Sequence, residues 1–289
     1  MIDVHCHLNF HSFEEDYDAV IKSAAEAGVK TIINVGTSLE SSQKAVELAK
    51  EYDNLYAIVG VHPHHADKLG SVILGTLARP EDSRIDSGQA RMTEYDWIEQ
   101  LETLARMPKV VAIGEIGMDY YNYQSNGITD PKIQKEIFIK QIELAYKLKL
   151  PLQIHNRQAG DDILDILISH KSHLLNLPGM FHCMSGNLDF LKKVLDFGFY
   201  IGFDGNITYN GKARGETTKL KELVKYAPID RILTETDSPF LTPQPFRGSR
   251  NMPEYVIIIA EAIARIKGIS ADEVKEKTTE NAEKIFRLK

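Results

Sequence analysis

The segment Ile2-Asp3-Val4-His5-Cys6-His7 opens the chain with a short apolar run that ends in two histidines. Successive side chains of a β-strand point to opposite faces, so His5 and His7 share one face and Cys6 points to the other. Two imidazoles that converge on one point can bind a metal ion. A His-x-His pair can equally be a hydrogen-bonded strand end, and the pair alone does not decide between these readings.

Short β-branched apolar runs recur along the chain, and each is followed by a segment with helical periodicity. The predicted strands cover residues 2–5, 31–35, 55–61, 110–113, 152–155, 179–182, 200–203 and 231–234. The predicted helices cover residues 17–27, 39–51, 94–106, 132–148, 161–169, 188–197, 217–226 and 253–267. This alternation is typical of an α/β protein with a parallel sheet, and eight units predict a (β/α)8 TIM barrel. An extra C-terminal helix, about 270–286, begins with a capping-box sequence and is expected to pack outside the barrel.

The domain organisation follows from length and from the lack of a linker sequence. A chain of 289 residues can hold two domains, but single α/β barrels commonly reach about 250 residues. No Gly/Ser-rich or Pro-rich tract divides the chain, so we predict one domain over residues 1–289. The segment 67–93, between the third strand and its helix, is a long insertion expected over the barrel mouth. It is either a lid or subunit contact, or a tolerated surface insertion.

Composition limits the class of protein and of partner. The hydrophobic content of 43% and charged content of 26% are those of an ordinary globular protein. The net charge of −7 disfavours a broad basic surface for duplex nucleic acid, although it permits local phosphate recognition. Cys6 and Cys183 are expected to be reduced, buried residues, which favours a cytoplasmic location. No apolar stretch has the length of a membrane span, and neither a membrane nor an obligate protein partner is expected.

Metal-ligand residue types follow most of the predicted strands. They are His5 and His7 after the first strand, His62 and His64 after the third, Glu115 after the fourth, His155 after the fifth, His182 after the sixth and Asp237 after the eighth. The active sites of such barrels form where these strand ends meet. Each residue alone has an ordinary structural explanation. Together they indicate a metal site, because buried imidazoles and carboxylates are costly unless they are paired or bind a cation.

Six protein ligands are too many for one tetrahedral ion but suit two divalent ions bridged by a carboxylate. We assign Glu115 as the bridge. The ligands of the first ion are then His5, His7, Glu115 and Asp237, and those of the second are Glu115, His155 and His182. The sequence leaves the identity of the ions open among zinc, magnesium, manganese and nickel.

Seven segments, spread in order over essentially the whole chain, carry a family resemblance. They are Asp3-Val4-His5-Cys6-His7, Gly60-Val61-His62-Pro63-His64, Gly114-Glu115-Ile116-Gly117-Met118-Asp119-Tyr120, Ile154-His155-Asn156-Arg157, Phe181-His182-Cys183-Met184-Ser185-Gly186, Thr234-Glu235-Thr236-Asp237-Ser238-Pro239 and Arg247-Gly248-Ser249-Arg250-Asn251. With these segments the chain resembles the TatD family of metal-dependent deoxyribonucleases, which are amidohydrolase-like barrels. The resemblance implies the barrel fold, the metal ligands above and hydrolysis of DNA phosphodiester bonds. Gln158 stands where the resemblance implies an acidic residue.

The expected reaction uses a hydroxide bridging the two ions as the nucleophile, with Glu115 and Asp237 as catalytic residues. Asp237 would bind metal and accept the proton of the attacking water. The side chains expected to bind substrate are His62, His64 and Arg157, which can contact phosphate, and Asp119, which can orient a ligand.

The expected substrate is DNA, at strand ends or damaged sites. Two other readings stay open at this point. A deacylase of mis-charged aminoacyl-tRNA, or another ester or amide hydrolase, would use the same metal site. A protein that keeps a metal for stability alone is the non-enzymatic alternative, although structural metal sites are usually closed.

Overall fold

A computed structural model describes residues 1–67, 69, 94–124, 127–211 and 218–288 of the chain. One sheet contains eight strands in sequence order, and every neighbouring pair in that order is parallel. The strands are β1 Ile2–Cys6, β2 Thr31–Val35, β3 Leu55–Val59, β4 Val110–Asp119, β5 Leu152–Arg157, β6 Gly179–Phe181, β7 Tyr200–Phe203 and β8 Ile232–Thr234. This arrangement confirms the predicted (β/α)8 barrel.

Helices connect the strands at nearly the predicted positions. They are α1 Tyr17–Glu26, α2 Leu39–Glu51, α3 Glu94–Ala105, α4 Pro131–Leu148, α5 Gly160–Ser169, α6 Leu188–Asp196, α7 Leu220–Tyr226, α8 Val256–Lys267 and α9 Ala271–Phe286. Side-chain caps fix several starts: Ser38 and Ser41 form a reciprocal capping box before α2, and Ser270 accepts a hydrogen bond from Glu273 N before α9. None of the described helices has the length and apolarity needed to cross a bilayer.

The predicted insertion at 67–93 lies almost wholly outside the described residues, so its role stays a prediction. Both cysteines are free thiols. Cys6 is fully buried in the core between strands and helices, whereas Cys183 is only partly buried. The expectation of two buried cysteines therefore holds for Cys6 but not fully for Cys183.

The C-terminal helix α9 covers the end of the barrel opposite the predicted site. Ile285 and Phe286 in its last turn pack in one buried cluster with Ile2, Tyr200 and Leu233, which lie on β1, β7 and β8. The helix thus lies across the N-terminal ends of the strands. Its burial there stabilises the barrel and leaves the C-terminal ends of the strands for the site.

Strand β4 is longer than predicted and contains a bulge. The prediction ended the strand at Ile113, but it continues to Asp119. Ile113 pairs with Leu152 and Ile116 pairs with Ile154, so three steps along β4 correspond to two along β5. Such a bulge changes the direction of the side chains within it. Glu115 lies inside this bulge rather than after the strand.

The barrel closes between β8 and β1 through a buried carboxylate. Asp3 accepts hydrogen bonds from the backbone N–H of Thr236 at 2.9 Å and from its hydroxyl at 2.6 Å. Beyond them, Asp237 N donates to His5 O at 2.9 Å and His7 N donates to Ser238 O at 2.8 Å. These bonds set the positions of His5, His7 and Asp237 relative to one another.

We expect Thr236→Val to destabilise the fold by about 1–3 kcal/mol, because the buried Asp3 carboxylate loses a hydroxyl donor. Urea unfolding followed by circular dichroism measures the change. Thr234→Val is the matched control on the same side of the barrel: its hydroxyl contacts are 3.4 and 3.5 Å long, so we expect a loss below about 1 kcal/mol. Equal losses in the free energy of unfolding for the two variants would show that the contact of Thr236 with Asp3 contributes no more to stability than the longer contacts of Thr234.

Candidate metal centre

Four ligand atoms from β4 and the ends of β1 and β8 surround one point. Nε2 of His5 and Nε2 of His7 are 3.0 Å apart. Oδ1 of Asp237 lies 3.6 and 3.4 Å from these two nitrogens, and Oε2 of Glu115 lies 3.7 and 3.9 Å from them. A tetrahedral ion with bonds of about 2.0–2.2 Å holds its ligand atoms about 3.3–3.6 Å apart. The four side chains therefore have the spacing of ligands to one cation.

The ring protons of the two histidines also suit a cation. Nδ1 of His7 lies 2.9 Å from the carbonyl oxygen of Val35, which can only accept, so the proton is on Nδ1 and Nε2 presents a lone pair. Burial lowers the pKa of His5 well below its usual value, which keeps this ring neutral. Two imidazole nitrogens 3.0 Å apart need a proton or a cation between them. The residues present thus fit a bound divalent ion.

A second group of ligand atoms lies on the other side of Glu115. Its Oε1 is 2.7 Å from Nδ1 of His155 and 3.6 Å from Nε2 of His182. Oε2 of the same carboxylate faces His5 and His7. Glu115 therefore belongs to the group with His155 and His182 and also lies within 4 Å of His5 and His7 in the group with Asp237, as a bridging carboxylate would require. The structure thus brings together all six residues that the sequence analysis named as ligands.

Glu235 contacts the second group and was missed by the sequence analysis. Its Oε2 lies 3.2 Å from Nδ1 of His182, and its Oε1 accepts a hydrogen bond from Cys183 N at 2.6 Å. The carboxylate is fully buried and leaves no room at Gly202, where a Cβ would lie 2.4 Å from Oε1. A carboxylate on the far nitrogen of a metal-binding histidine orients the ring. The two-residue spacing between Glu235 and Asp237 was the available signal.

Asp119, which the sequence analysis expected to orient a ligand, contacts His155. Its Oδ2 lies 3.1 Å from Nε2 of His155 and 3.2 Å from Nε2 of His64, and it accepts a hydrogen bond from Tyr123 at 3.0 Å. Its Oδ1 accepts from the backbone N–H of Tyr121 at 2.8 Å. Burial alone would raise the pKa of Asp119, but the hydrogen bonds from His155 and His64 hold it well below its usual value.

His62 lies directly beside the bridging carboxylate as a neutral hydrogen-bond donor. Its Nδ1 accepts a hydrogen bond from the backbone N–H of His64 at 3.1 Å, so the ring proton is on Nε2. That nitrogen lies 3.4 Å from Oε1 of Glu115. Burial lowers the pKa of His62 to about 4, although Glu115 acts in the opposite direction. The ring is therefore uncharged at neutral pH.

Arg157 lies farther out than the other predicted substrate-binding residues. Its guanidinium stacks over the ring of Tyr121 at 4.0 Å and donates to the hydroxyl of Tyr123 at 2.7 Å. Tyr123 in turn donates to Asp119, which connects Arg157 to the centre. The three predicted phosphate contacts thus lie at increasing distance from Glu115, with His62 adjacent, His64 next and Arg157 at the exposed rim.

The buried carboxylates of the centre are balanced by protons on neighbouring imidazoles. Burial would lower the pKa of His155, but Asp119 and Glu115 raise it to about 9. Burial would also lower the pKa of His182, and Glu235 and Glu115 raise it to about 10. Burial would raise the pKa of Glu115, yet the surrounding histidines hold it well below its usual value. A divalent cation can replace these protons as the balancing charge.

Comparison with known proteins shows similarity over the full length of the chain. A family model described as TatD related DNase matches residues 2–287. The uncharacterized metal-dependent hydrolase YabD of Bacillus subtilis is 39% identical over 291 residues, covering 100% of this chain and 99% of the relative. A protein of Erwinia tasmaniensis named 3'-5' ssDNA/RNA exonuclease TatD is 34% identical and covered over 100% of both chains. The crystal structure of YJJV, a TatD homolog from Escherichia coli, matches with a TM-score of 0.79 at 29% identity, over 100% of this chain and 98% of that chain.

Metal affinity should increase with pH. A coordinated imidazole must be neutral, whereas the raised pKa values of His155 and His182, about 9 and about 10, keep both rings protonated near pH 7. Protons therefore compete with the metal until the pH exceeds these values. We expect about a tenfold gain in zinc affinity per pH unit for each proton displaced, and release of one to two protons on binding near pH 7.

Calorimetry in buffers with different ionisation enthalpies measures the proton release directly. His11→Gln is the control, because this histidine is 93% exposed and is not among the predicted ligands. Zinc affinity that does not vary between pH 6.5 and 8.5 would contradict the inference that protons on His155 and His182 compensate the buried carboxylates.

Proposed function

The chain belongs to the TatD family of metal-dependent hydrolases, and from that premise we propose that it hydrolyses phosphodiester bonds of nucleic acid, with DNA as the principal substrate. The observation that carries the proposal is the position of Glu115, whose Oε2 faces His5 and His7 and whose Oε1 faces His155 and His182, next to the neutral donor His62 and near the exposed Arg157. The names of the matched family model and of the Erwinia relative support a nucleic-acid substrate.

We propose two divalent ions as cofactors. His5, His7, Asp237 and Glu115 would hold one ion, and Glu115, His155 and His182 would hold the other. Bound there, the ions supply Lewis acidity toward a phosphoryl oxygen and make water a nucleophile at neutral pH. The four imidazole ligands favour zinc or nickel over magnesium, because magnesium prefers oxygen ligands.

Asp237 is the proposed proton acceptor for the attacking water. Its side chain is 13% exposed, against 6% for Glu115, so it lies nearer the solvent side of the centre. Its backbone has a positive φ of 56° and is held by the hydrogen bond from its N–H to His5 O. The carboxylate is thereby fixed beside the imidazole nitrogens, from where it can take a proton and return it to the leaving oxygen.

The residues around the ligands are arranged for a substrate with several phosphates. The Nε2–H of His62 can donate to a non-bridging oxygen of the reacting phosphate. His64 and Arg157 lie farther out, and a guanidinium can grip a neighbouring phosphate with two parallel hydrogen bonds. We propose that strand ends or damaged sites are attacked, because a net charge of −7 disfavours a broad basic surface for long duplex DNA.

A cleavage assay with and without the bridging carboxylate tests the proposal. We expect the zinc-loaded protein to cleave labelled single-stranded DNA and Glu115→Ala to lose at least about a hundredfold in kcat together with bound metal. Glu14→Ala is the control, since its side chain is 59% exposed and contacts the remote His11. Full cleavage and full metal content in Glu115→Ala would refute the bridging role. Hydrolysis of an aminoacyl-tRNA ester without any DNA cleavage would assign the centre to the deacylase reaction instead.

The donor role of His62 gives a second prediction, which separates chemistry from metal binding. His62→Leu removes the Nε2–H but none of the proposed ligands, so we expect kcat to fall by about 10²–10³ while metal content stays unchanged. His62→Gln keeps a neutral donor and should recover part of the loss. Steady-state kinetics with metal analysis of both variants provides the measurement. A purely structural role would give equal losses for leucine and glutamine.

A further inference from the structure

Phe240 is an exposed aromatic side chain beside the candidate metal centre. It follows Asp237 by three residues, and 52% of it is exposed. Its ring centroid lies 6.3 Å from that of His7, a proposed ligand. What distinguishes this ring from the other exposed apolar side chains of the described residues is its contact with a proposed metal ligand.

A small aromatic cluster supports the ring. Phe10 stacks on His7 with centroids 4.3 Å apart and an interplanar angle of 15°. Phe240 meets Phe10 at 6.2 Å and 72°, an edge contact. Edge contacts with Phe10 and His7 hold the Phe240 ring from the side. About half of the surface of Phe240 remains open to a ligand.

The backbone of Phe240 is fixed relative to the centre. Its N–H donates to Asp237 O at 2.8 Å, and its carbonyl accepts a hydrogen bond from the Asn251 side chain at 2.6 Å. Asn251 is fully buried and also donates to Thr236 O at 2.7 Å. A preorganised aromatic surface loses little conformational entropy when it binds a flat ligand.

We propose that Phe240 is the stacking surface for an unpaired nucleobase of the nucleotide whose phosphate lies at the metal centre. This inference rests on the proposed function and specifies its substrate class. Because the rings of Phe240 and His7 are 6.3 Å apart, a base stacked on Phe240 would lie beside the group that contains His7. Stacking requires an exposed base face, so the base must be single-stranded or frayed from a duplex end. All four bases are accepted, since each has a π-face.

The test compares two single-stranded oligonucleotides that differ only in the nucleotide at the cleaved end, which carries either thymine or an abasic sugar. We expect wild type to favour the thymine substrate about tenfold in kcat/KM, mainly through KM, and Phe240→Ala to lose this preference. Phe240→Trp should retain it. Phe246→Ala is the matched control, because Phe246 is 45% exposed but stacks on Tyr255 at 4.8 Å.

Binding provides a readout that does not depend on cleavage. Calorimetry should show wild type binding thymidine 5'-monophosphate about tenfold more tightly than deoxyribose 5-phosphate, and Phe240→Ala binding both with equal affinity. Equal affinity in wild type, or an unchanged thymine preference in Phe240→Ala, would overturn the stacking role while cleavage by wild type still supports the nuclease. A wild type that cleaves neither oligonucleotide would refute the proposed function and, with it, this inference.

Discussion

The negative charge of Glu115 is buried at the barrel mouth, and the surrounding residues are arranged to compensate it. A carboxylate side chain that is 6% exposed is tolerated only when cations or hydrogen-bond donors lie against it. Imidazoles from three different strand ends meet this requirement: nitrogen atoms of His155, His62 and His182 lie 2.7, 3.4 and 3.6 Å from its Oε1. The same arrangement suits the proposed binding of divalent ions, because ions and protons would compete for the same nitrogens.

The backbone makes this close approach possible. The bulge in β4 places Glu115 inside the barrel mouth, and β5 passes so near that a Cβ on Gly117 would lie 2.1 Å from His155 O. Gly117 also has a positive φ of 138°, a backbone conformation that residues other than glycine rarely adopt. A larger residue would push β5 away and lengthen the 2.7 Å contact between His155 and Glu115. The distance between the two ligands is therefore set by main-chain packing.

The sequence alone could predict the order of elements and the residues at the strand ends, because both depend on local periodicity. The bounds of β2 and β7 agree with the prediction. Periodicity failed for β4, where Gly114-Glu115-Ile116-Gly117 looks like a turn but continues the strand through a bulge. The sequence analysis also missed Glu235, because its place in the site depends on a contact with His182, which follows a different strand. The outer position of Arg157 is set by its stacking on Tyr121, another contact that spacing does not reveal.

The distribution of charge is compatible with the proposed polyanionic substrate, although the chain is acidic. The net charge of −7 is spread over the whole chain, whereas the site brings a guanidinium and the ligands of divalent ions to one mouth. Bound ions would be the largest local charges in such a site, and with the two proposed ions the field there would be positive even though the net charge of the chain is negative. Nearest the ligands, His62 is neutral, which avoids repulsion of the metal while still providing a donor. Arg157 provides positive side-chain charge farther out, where a second phosphate of an extended strand would lie in the proposed complex. A neutral donor beside the ligands and a positive charge farther out suit a nucleic-acid strand that enters by its end. One phosphate would then lie at the ions and the next phosphate at Arg157.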